Sequence, residues 1–194
     1  MVLDKKEPFV IKGRLFTPLD GGGADEYLYY DDGFLVVGDG GRILFVGPEL
    51  PDEYAHSQVH RTRHLIFPGF VDAHVHYPQL PVVASYGTSL LEWLDKYTFP
   101  EEIKYGDRTY AGRRAAQFLT LILARGVTSA AVFSTIHQVA FEALQASTRD
   151  LGLNLVSGVT GMDRGAPDAL SVDVAVFRDI NERAIETSRG LERF

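Results

Sequence analysis

Two histidines separated by one residue form the clearest metal-binding pattern in the chain. His74 and His76 end an apolar run that begins at Phe67. Side chains at positions i and i+2 of a β-strand project from the same face, so both imidazoles could reach one ion. Imidazole nitrogens suit Zn²⁺ and related divalent metals, and a catalytic zinc usually has three protein ligands and one open position. The sequence therefore predicts part of a metal site, with further ligands supplied from elsewhere.

The residues around this pair are more informative than the pair, because an isolated H-x-H pattern is more often coincidental than functional. The stretch PGFVDAHVH at 68–76 resembles the first-strand motif of the metal-dependent amidohydrolase superfamily. Within that superfamily, three further stretches resemble the guanine deaminase family. They are YPQ at 77–79, LLEWL with YTFPEE at 90–102, and MDRGAPD at 162–168, where Gly165 replaces the family's Asn.

This resemblance implies a fold. The fold class is α/β, an incomplete TIM (β/α) barrel with a small N-terminal antiparallel β segment. Residues 1–64 would form that segment, which in this family contributes to a composite β-sandwich. Residues 65–194 would supply the first three βα units of the barrel, because a closed barrel needs eight strands and about 250 residues. We therefore expect a truncated barrel.

The resemblance also implies a reaction. The full-length parent protein would hydrolyse guanine to xanthine and ammonia in purine catabolism, with one Zn²⁺, or alternatively Fe²⁺, activating water. In this family the later metal ligands and the proton-transferring Glu follow the third βα unit. We therefore expect no catalytic residue within this chain, little or no activity from the chain alone, and a homodimer for the full-length form.

The resemblance assigns roles to residues of the H-x-H segment. His74 and His76 would bind the metal. Gln79 would contact the purine, since a carboxamide offers both a hydrogen-bond donor and an acceptor. His76, Tyr77 and Pro78 would lie beside the substrate with Gln79.

Four other residues have more than one possible role. Asp72 could accept a hydrogen bond at the strand end or fix the tautomer of an imidazole. His137 follows the second barrel strand, where it could line the site or simply neighbour a helix cap. Asp163 and Arg164 could bind substrate, form a structural ion pair or contact a second subunit.

Hydrophobic patterns predict the elements that carry these residues. Short β-prone runs between Phe9 and Gly47, with Asp31-Asp32-Gly33 and Asp39-Gly40-Gly41 as turns, predict a small antiparallel sheet. The polar residues 52–63 are interpreted as a solvated loop. Strands are then predicted at 65–75, 127–133 and 153–159, and helices at 89–97, 107–125, 137–150 and within 174–191. This alternation indicates a parallel α/β sheet.

Composition excludes several classes of function. A net charge of −7 without basic runs argues against nucleic acid or an anionic membrane as a partner. The absence of cysteine excludes disulfides, thiolate ligands and the zinc deaminase design that requires P-C-x-x-C. The N-terminus has no apolar run long enough for a signal peptide or membrane span, so a cytoplasmic location is expected. Two alternatives remain, an amidohydrolase acting on another heterocycle and a non-catalytic fragment or scaffold.

Overall fold

The computed structural model describes residues 7–19, 26–149 and 151–189. The chain divides into two compact units, Met1–Pro68 and Gly69–Phe194. The first unit contains a four-stranded sheet and the second a three-stranded sheet with helices. Among the described residues, no helix combines the length and the apolar character that crossing a membrane requires.

The sheet of the first unit is mixed. Its strands are β1 (Phe9–Pro18), β2 (Tyr27–Val37), β3 (Ile43–Gly47) and β4 (Gln58–Ile66), in the order β3-β2-β1-β4. The β1–β2 and β2–β3 pairs are antiparallel, whereas β1–β4 is parallel. The predicted antiparallel pairing is therefore found for β1, β2 and β3, whereas β4 adds a parallel strand that was not predicted. Strand β4 lies at the edge of the sheet, and most of its residues are exposed and polar. This polarity is why residues 52–63 were predicted to form a loop.

One predicted turn is instead part of a strand. Asp31-Asp32-Gly33 lies within β2, where the register against β1 shifts between Gly13 and Leu15. A β-bulge takes up the extra residue on β2. A Cβ at Gly33 would lie 2.8 Å from Tyr30 Cβ, so a larger residue at this position would require a local shift. The second predicted turn, Asp39–Gly41, does connect β2 to β3.

The second unit is built on a parallel sheet. Its strands are β5 (Phe70–His76), β6 (Val127–Phe133) and β7 (Asn154–Gly158), in the order β5-β6-β7. Both pairs are parallel, as predicted for an α/β sheet. The predicted strand 65–75 was too long at its start, because Leu65 and Ile66 belong to β4. The break contains Pro68, which has no N–H to donate to a ladder.

Three longer helices accompany the parallel sheet, namely α3 (Arg108–Ala124), α4 (Gln138–Thr148) and α5 (Val174–Ser188). Their bounds agree with the predicted helices, except that Asp150 and Leu191 lie outside the described residues. Apolar side chains of α3 and α4 pack with Ala130, Val132 and Leu155 of the strands to form the main core. The opposite face of the sheet is exposed to solvent. Val71 is 73% exposed and Val156 is 75% exposed.

The segment between β5 and α3 is more helical than predicted. It runs through α1 (Leu90–Trp93), a π-helical turn (Leu94–Thr98), α2 (Phe99–Ile103) and a 3-10 turn (Lys104–Gly106). Pro100 cannot donate an N–H and would clash with the carbonyl four residues earlier in a regular α-helix. A wide π turn just before the proline avoids this conflict. Helical structure therefore continues beyond the predicted helix at 89–97, and α2 buries Glu101 and Glu102.

Candidate metal and substrate site

His74 and His76 meet at the carboxyl end of β5. Their Nε2 atoms lie 3.2 Å apart. Two nitrogens bound at 2.0–2.1 Å to a tetrahedral zinc would be about 3.4 Å apart. The observed spacing is close to that of two ligands of one metal ion, and without an ion it also fits a hydrogen bond between the two rings.

The backbone around His74 departs from a regular ladder. Asp72 pairs with Ala130 and Val75 pairs with Val132, so three steps on β5 match two on β6. This irregularity places a bulge on β5 between Asp72 and Val75, next to the first of the two histidines. The carboxylate of Asp72 accepts a hydrogen bond from the backbone N–H of His74 at 3.1 Å. Of the two roles considered for Asp72, the structure shows the acceptor at the strand end.

Phe133 holds both imidazoles from the neighbouring strand. Its ring centroid is 4.7 Å from that of His74 and 4.7 Å from that of His76, and the His76 ring is nearly parallel to it at 12°. Such stacking restricts rotation of the imidazoles. Sequence reasoning missed Phe133, although its position at the end of β6 was a usable signal because parallel strands end at the same edge.

Gln79 connects His76 to a buried carboxyl group. Its amide nitrogen, Nε2, lies 3.3 Å from His76 Nδ1 and 3.4 Å from Glu102 Oε1. Burial raises the pKa of the Glu102 carboxyl, and the hydrogen bond from Gln79 offsets part of that rise. Burial, and then the nearby His74, lower the pKa of His76 and so favour the neutral imidazole that binds metals. Sequence reasoning assigned no role to Glu102.

The structure places Tyr77 and Pro78 in the interior. Both side chains are buried, and the Tyr77 hydroxyl donates to the carbonyl oxygen of Ala140 at 2.7 Å. The ring also packs edge-on against Tyr105 with centroids 5.2 Å apart. Tyr77 thus has no exposed surface for a ligand, and its side chain anchors the turn that carries Gln79. The expected position of Tyr77 and Pro78 beside a substrate of the complete protein stays a prediction.

His137 precedes α4 and makes no capping bond with its side chain. Burial lowers its pKa, and its Nε2 is buried without a hydrogen-bond partner among the described residues. A Cβ at Gly106 would lie 3.5 Å from His137 Cε1, so the ring packs against the 3-10 turn before α3. The structure does not bring His137 into contact with the histidine pair.

Asp163 and Arg164 form an ion pair at the surface. The Asp163 Oδ1 to Arg164 Nε distance is 3.5 Å, and their side chains are 56% and 89% exposed. Such an exposed pair contributes little stability. The next residue, Gly165, has a φ of +68°, in the left-handed region that glycine and asparagine tolerate best. Glycine at this position, where the resembled family has Asn, therefore suits the left-handed conformation.

The described residues supply only part of a metal site. Across residues 7–19, 26–149 and 151–189, no group of three or more His, Cys, Asp or Glu side chains is placed to hold an ion. The histidine pair, the amide of Gln79 and the buried Glu102 form one polar cluster at the end of β5. This cluster could contribute two ligands to a divalent metal and a hydrogen-bonding amide to a neighbouring ligand.

Comparisons with a family model and with individual proteins point to the same family. A sequence model described as the amidohydrolase family matches residues 65–193. Guanine deaminase of Escherichia coli strain K12 is 38% identical over 146 residues, which are 73% of this chain and 33% of that protein. The chain thus spans about a third of the length of the curated relatives it matches.

Solved structures resemble this chain over nearly its whole length. A crystal structure of guanine deaminase from Bradyrhizobium japonicum aligns with a TM-score of 0.85 and 33% identity, covering 93% of this chain and 41% of that one. Guanine deaminase from C. acetobutylicum, crystallised with guanine in its active site, also aligns with a TM-score of 0.85, at 28% identity. That alignment covers 93% of this chain and 43% of that one.

Proposed function

The chain belongs to the amidohydrolase family, and we propose on that basis that it is the N-terminal part of a metal-dependent guanine deaminase. The complete protein, meaning this chain together with the later part of a barrel, would convert guanine and water to xanthine and ammonia. The observation that carries the proposal is the pair of Nε2 atoms 3.2 Å apart, with the amide of Gln79 beside it. Similarity to guanine deaminases over most of the chain supports the choice of substrate.

His74 and His76 would hold the metal through their Nε2 atoms, with the remaining ligands supplied from outside this chain. Zn²⁺ suits two imidazoles, and Fe²⁺ is the alternative. The bound ion would supply Lewis-acid activation of water. The chain's own residues prepare the site, because Asp72 fixes the backbone of His74 and Phe133 stacks on the His76 ring and contacts the His74 ring at a tilt.

Gln79 would bind and orient the purine. The edge of guanine carries hydrogen-bond donors, and the Gln79 amide oxygen is free to accept from one of them because the amide nitrogen faces His76 and Glu102. The turn that carries Gln79 is anchored by Tyr77 and Pro78, which are buried. A carboxylate outside this chain would transfer protons between the attacking water and the departing amino group.

We further propose that β5, β6 and β7 are the first three strands of a TIM barrel and that the four strands before them belong to a small sandwich. The parallel order β5-β6-β7 is that of consecutive βα units. The exposed Val71 and Val156 suit a sheet face that the rest of a barrel would cover. A homodimer of the complete protein remains a prediction from the family resemblance.

The test is to purify the complete protein, measure its metal content by elemental analysis, and assay guanine, adenine and cytosine as substrates. We expect guanine to disappear with equimolar release of ammonia. Turnover of another heterocycle in preference to guanine would refute the proposal that guanine is the substrate. Stoichiometric metal with no turnover of any of the three would favour the scaffold alternative.

A further inference from the structure

The amide of Gln79 has two polar partners inside the protein. Both contacts are made by the nitrogen, at 3.3 Å to His76 Nδ1 and 3.4 Å to Glu102 Oε1. A carboxamide can exchange its oxygen and nitrogen by turning over, and its partners decide which orientation is favoured. An ionised carboxylate only accepts hydrogen bonds, so it selects the orientation in which the amide nitrogen faces it.

Glu102 and its neighbour Glu101 differ in how their charge is balanced. Both are buried, at 6% and 5% exposure. Glu101 accepts from Lys104 Nζ at 2.6 Å and from the Tyr110 hydroxyl. In the described part of the chain Glu102 forms no ion pair, and its side-chain hydrogen bond comes from Gln79. Burying a carboxyl group without a cation is costly, and this cost makes Glu102 a candidate for a functional role.

We propose that Glu102 is a positioning residue for substrate recognition, which fixes the side-chain amide of Gln79. The inference rests on the proposed function, in which Gln79 binds the purine. With the amide nitrogen held by Glu102, the amide oxygen points away from Glu102 and is left to accept a hydrogen bond from the ligand. Glu102 itself does not contact the substrate and acts only through Gln79.

The test is a double-mutant cycle in the complete protein, using Gln79→Ala, Glu102→Ala and the double variant. Each single variant should lower kcat/KM for guanine by about 5- to 150-fold, the range for a lost buried hydrogen bond. If Glu102 acts through Gln79, the second substitution should lower kcat/KM by less than about twofold once the first is present. Binding of xanthine, measured by calorimetry, should weaken by a similar factor and show the same coupling.

Glu102→Gln keeps an acceptor oxygen and nearly the same volume, so it should restore kcat/KM to within about fivefold of the unmodified protein. Glu101→Gln is the matched control, because Glu101 lies on the same helix and is equally buried but contacts Lys104 and Tyr110. The effect of Glu101→Gln should be the same with Gln79 present or absent.

Additive effects of Glu102→Ala and Gln79→Ala on kcat/KM would overturn the positioning role. The role would also be overturned if the effect of Glu101→Gln on kcat/KM depended on Gln79 to the same extent. If the complete protein prefers a different heterocycle, the guanine proposal fails while the same cycle on that heterocycle still tests Glu102. Absence of turnover on every heterocycle would overturn both.

Discussion

At the scale of single residues, the histidine pair is held from several sides. Phe133 stacks on the His76 ring and contacts the His74 ring at a tilt, Gln79 contacts His76, and Asp72 accepts from the backbone of His74. Burial, and then the nearby His74, lower the pKa of His76, which favours its neutral ring. A pair held in this way has lost much of its rotational freedom before any ion binds, which favours binding.

His74→Ala in the complete protein should abolish tightly bound metal and guanine turnover, because it removes one of the two ligands supplied by β5. Elemental analysis and an ammonia-release assay measure the two effects. His64→Ala is the control, since His64 is an exposed histidine on β4. Unchanged metal stoichiometry with retained activity in His74→Ala would refute the metal assignment.

Glu102→Gln should make the complete protein more stable at neutral pH. Burial raises the pKa of Glu102 in the folded state, so its ionised form disfavours folding. Below the unfolded-state pKa, about 4.3 for Glu, both states are protonated and no penalty exists. The penalty develops as the pH rises through the folded-state pKa and is complete above it.

The stabilisation by Glu102→Gln should therefore be present at pH 8 and absent near pH 4. Thermal unfolding across that range measures it. Glu101→Gln supplies the contrast, because the Glu101 carboxylate has Lys104 and Tyr110 as partners and its substitution should be destabilising at neutral pH. A pH-independent effect of Glu102→Gln would show that its charge does not oppose folding.

At the scale of elements, the sequence predicted what local patterns determine. The apolar run Val127–Phe133 forms β6 with the predicted bounds. The polar edge strand β4 was missed because its residues have little apolar alternation to detect. The irregular ladder at His74 and the π turn before Pro100 depend on contacts between segments, which no local pattern reports.

The same limit applies to the site. Both histidines and Gln79 are close in sequence, so a single motif could identify them. Glu102 reaches Gln79 from 23 residues away, and Phe133 reaches His76 across the sheet. Residues such as Glu102 and Phe133 can be assigned to the site only from the packed structure, because they are distant from Gln79 and His76 in sequence.

The start of β5 depends on a close approach to β6. A Cβ at Gly69 would lie 2.0 Å from Thr128 Oγ1, so Gly69→Ala must shift one strand relative to the other. We expect a loss of about 1–3 kcal/mol in stability, the range for overpacking, together with weaker metal binding. Thermal unfolding and elemental analysis measure these effects.

Gly112→Ala is the matched control for Gly69→Ala. A Cβ at Gly112 would meet no atom within 4 Å, and the residue lies inside α3. Alanine should stabilise that helix by about 0.5–1 kcal/mol. If Gly69→Ala were as well tolerated as Gly112→Ala, the packing of β5 on β6 would not constrain the histidine pair.

At the scale of the whole molecule, the parallel sheet has one face covered by helices and another that is open. Val71 and Val156 are 73% and 75% exposed, and β5 and β7 each pair with one strand among the described residues. Parallel sheets are normally covered on both faces. Exposed apolar faces and unpaired strand edges favour association with other chains.

The purified 194-residue chain should therefore form oligomers or aggregates, or remain loosely packed, and it should not turn guanine over with added zinc. Its metal affinity should be far below that of the complete protein, because the described residues supply two imidazoles and no third ligand. Light scattering gives the mass in solution, and titration with Zn²⁺ gives the affinity. Replacing Val71 and Val156 with Thr should reduce association without restoring activity, since it removes apolar surface but adds no ligand. A stable monomer that deaminates guanine would mean that these residues form a complete small enzyme and that the barrel proposal is wrong.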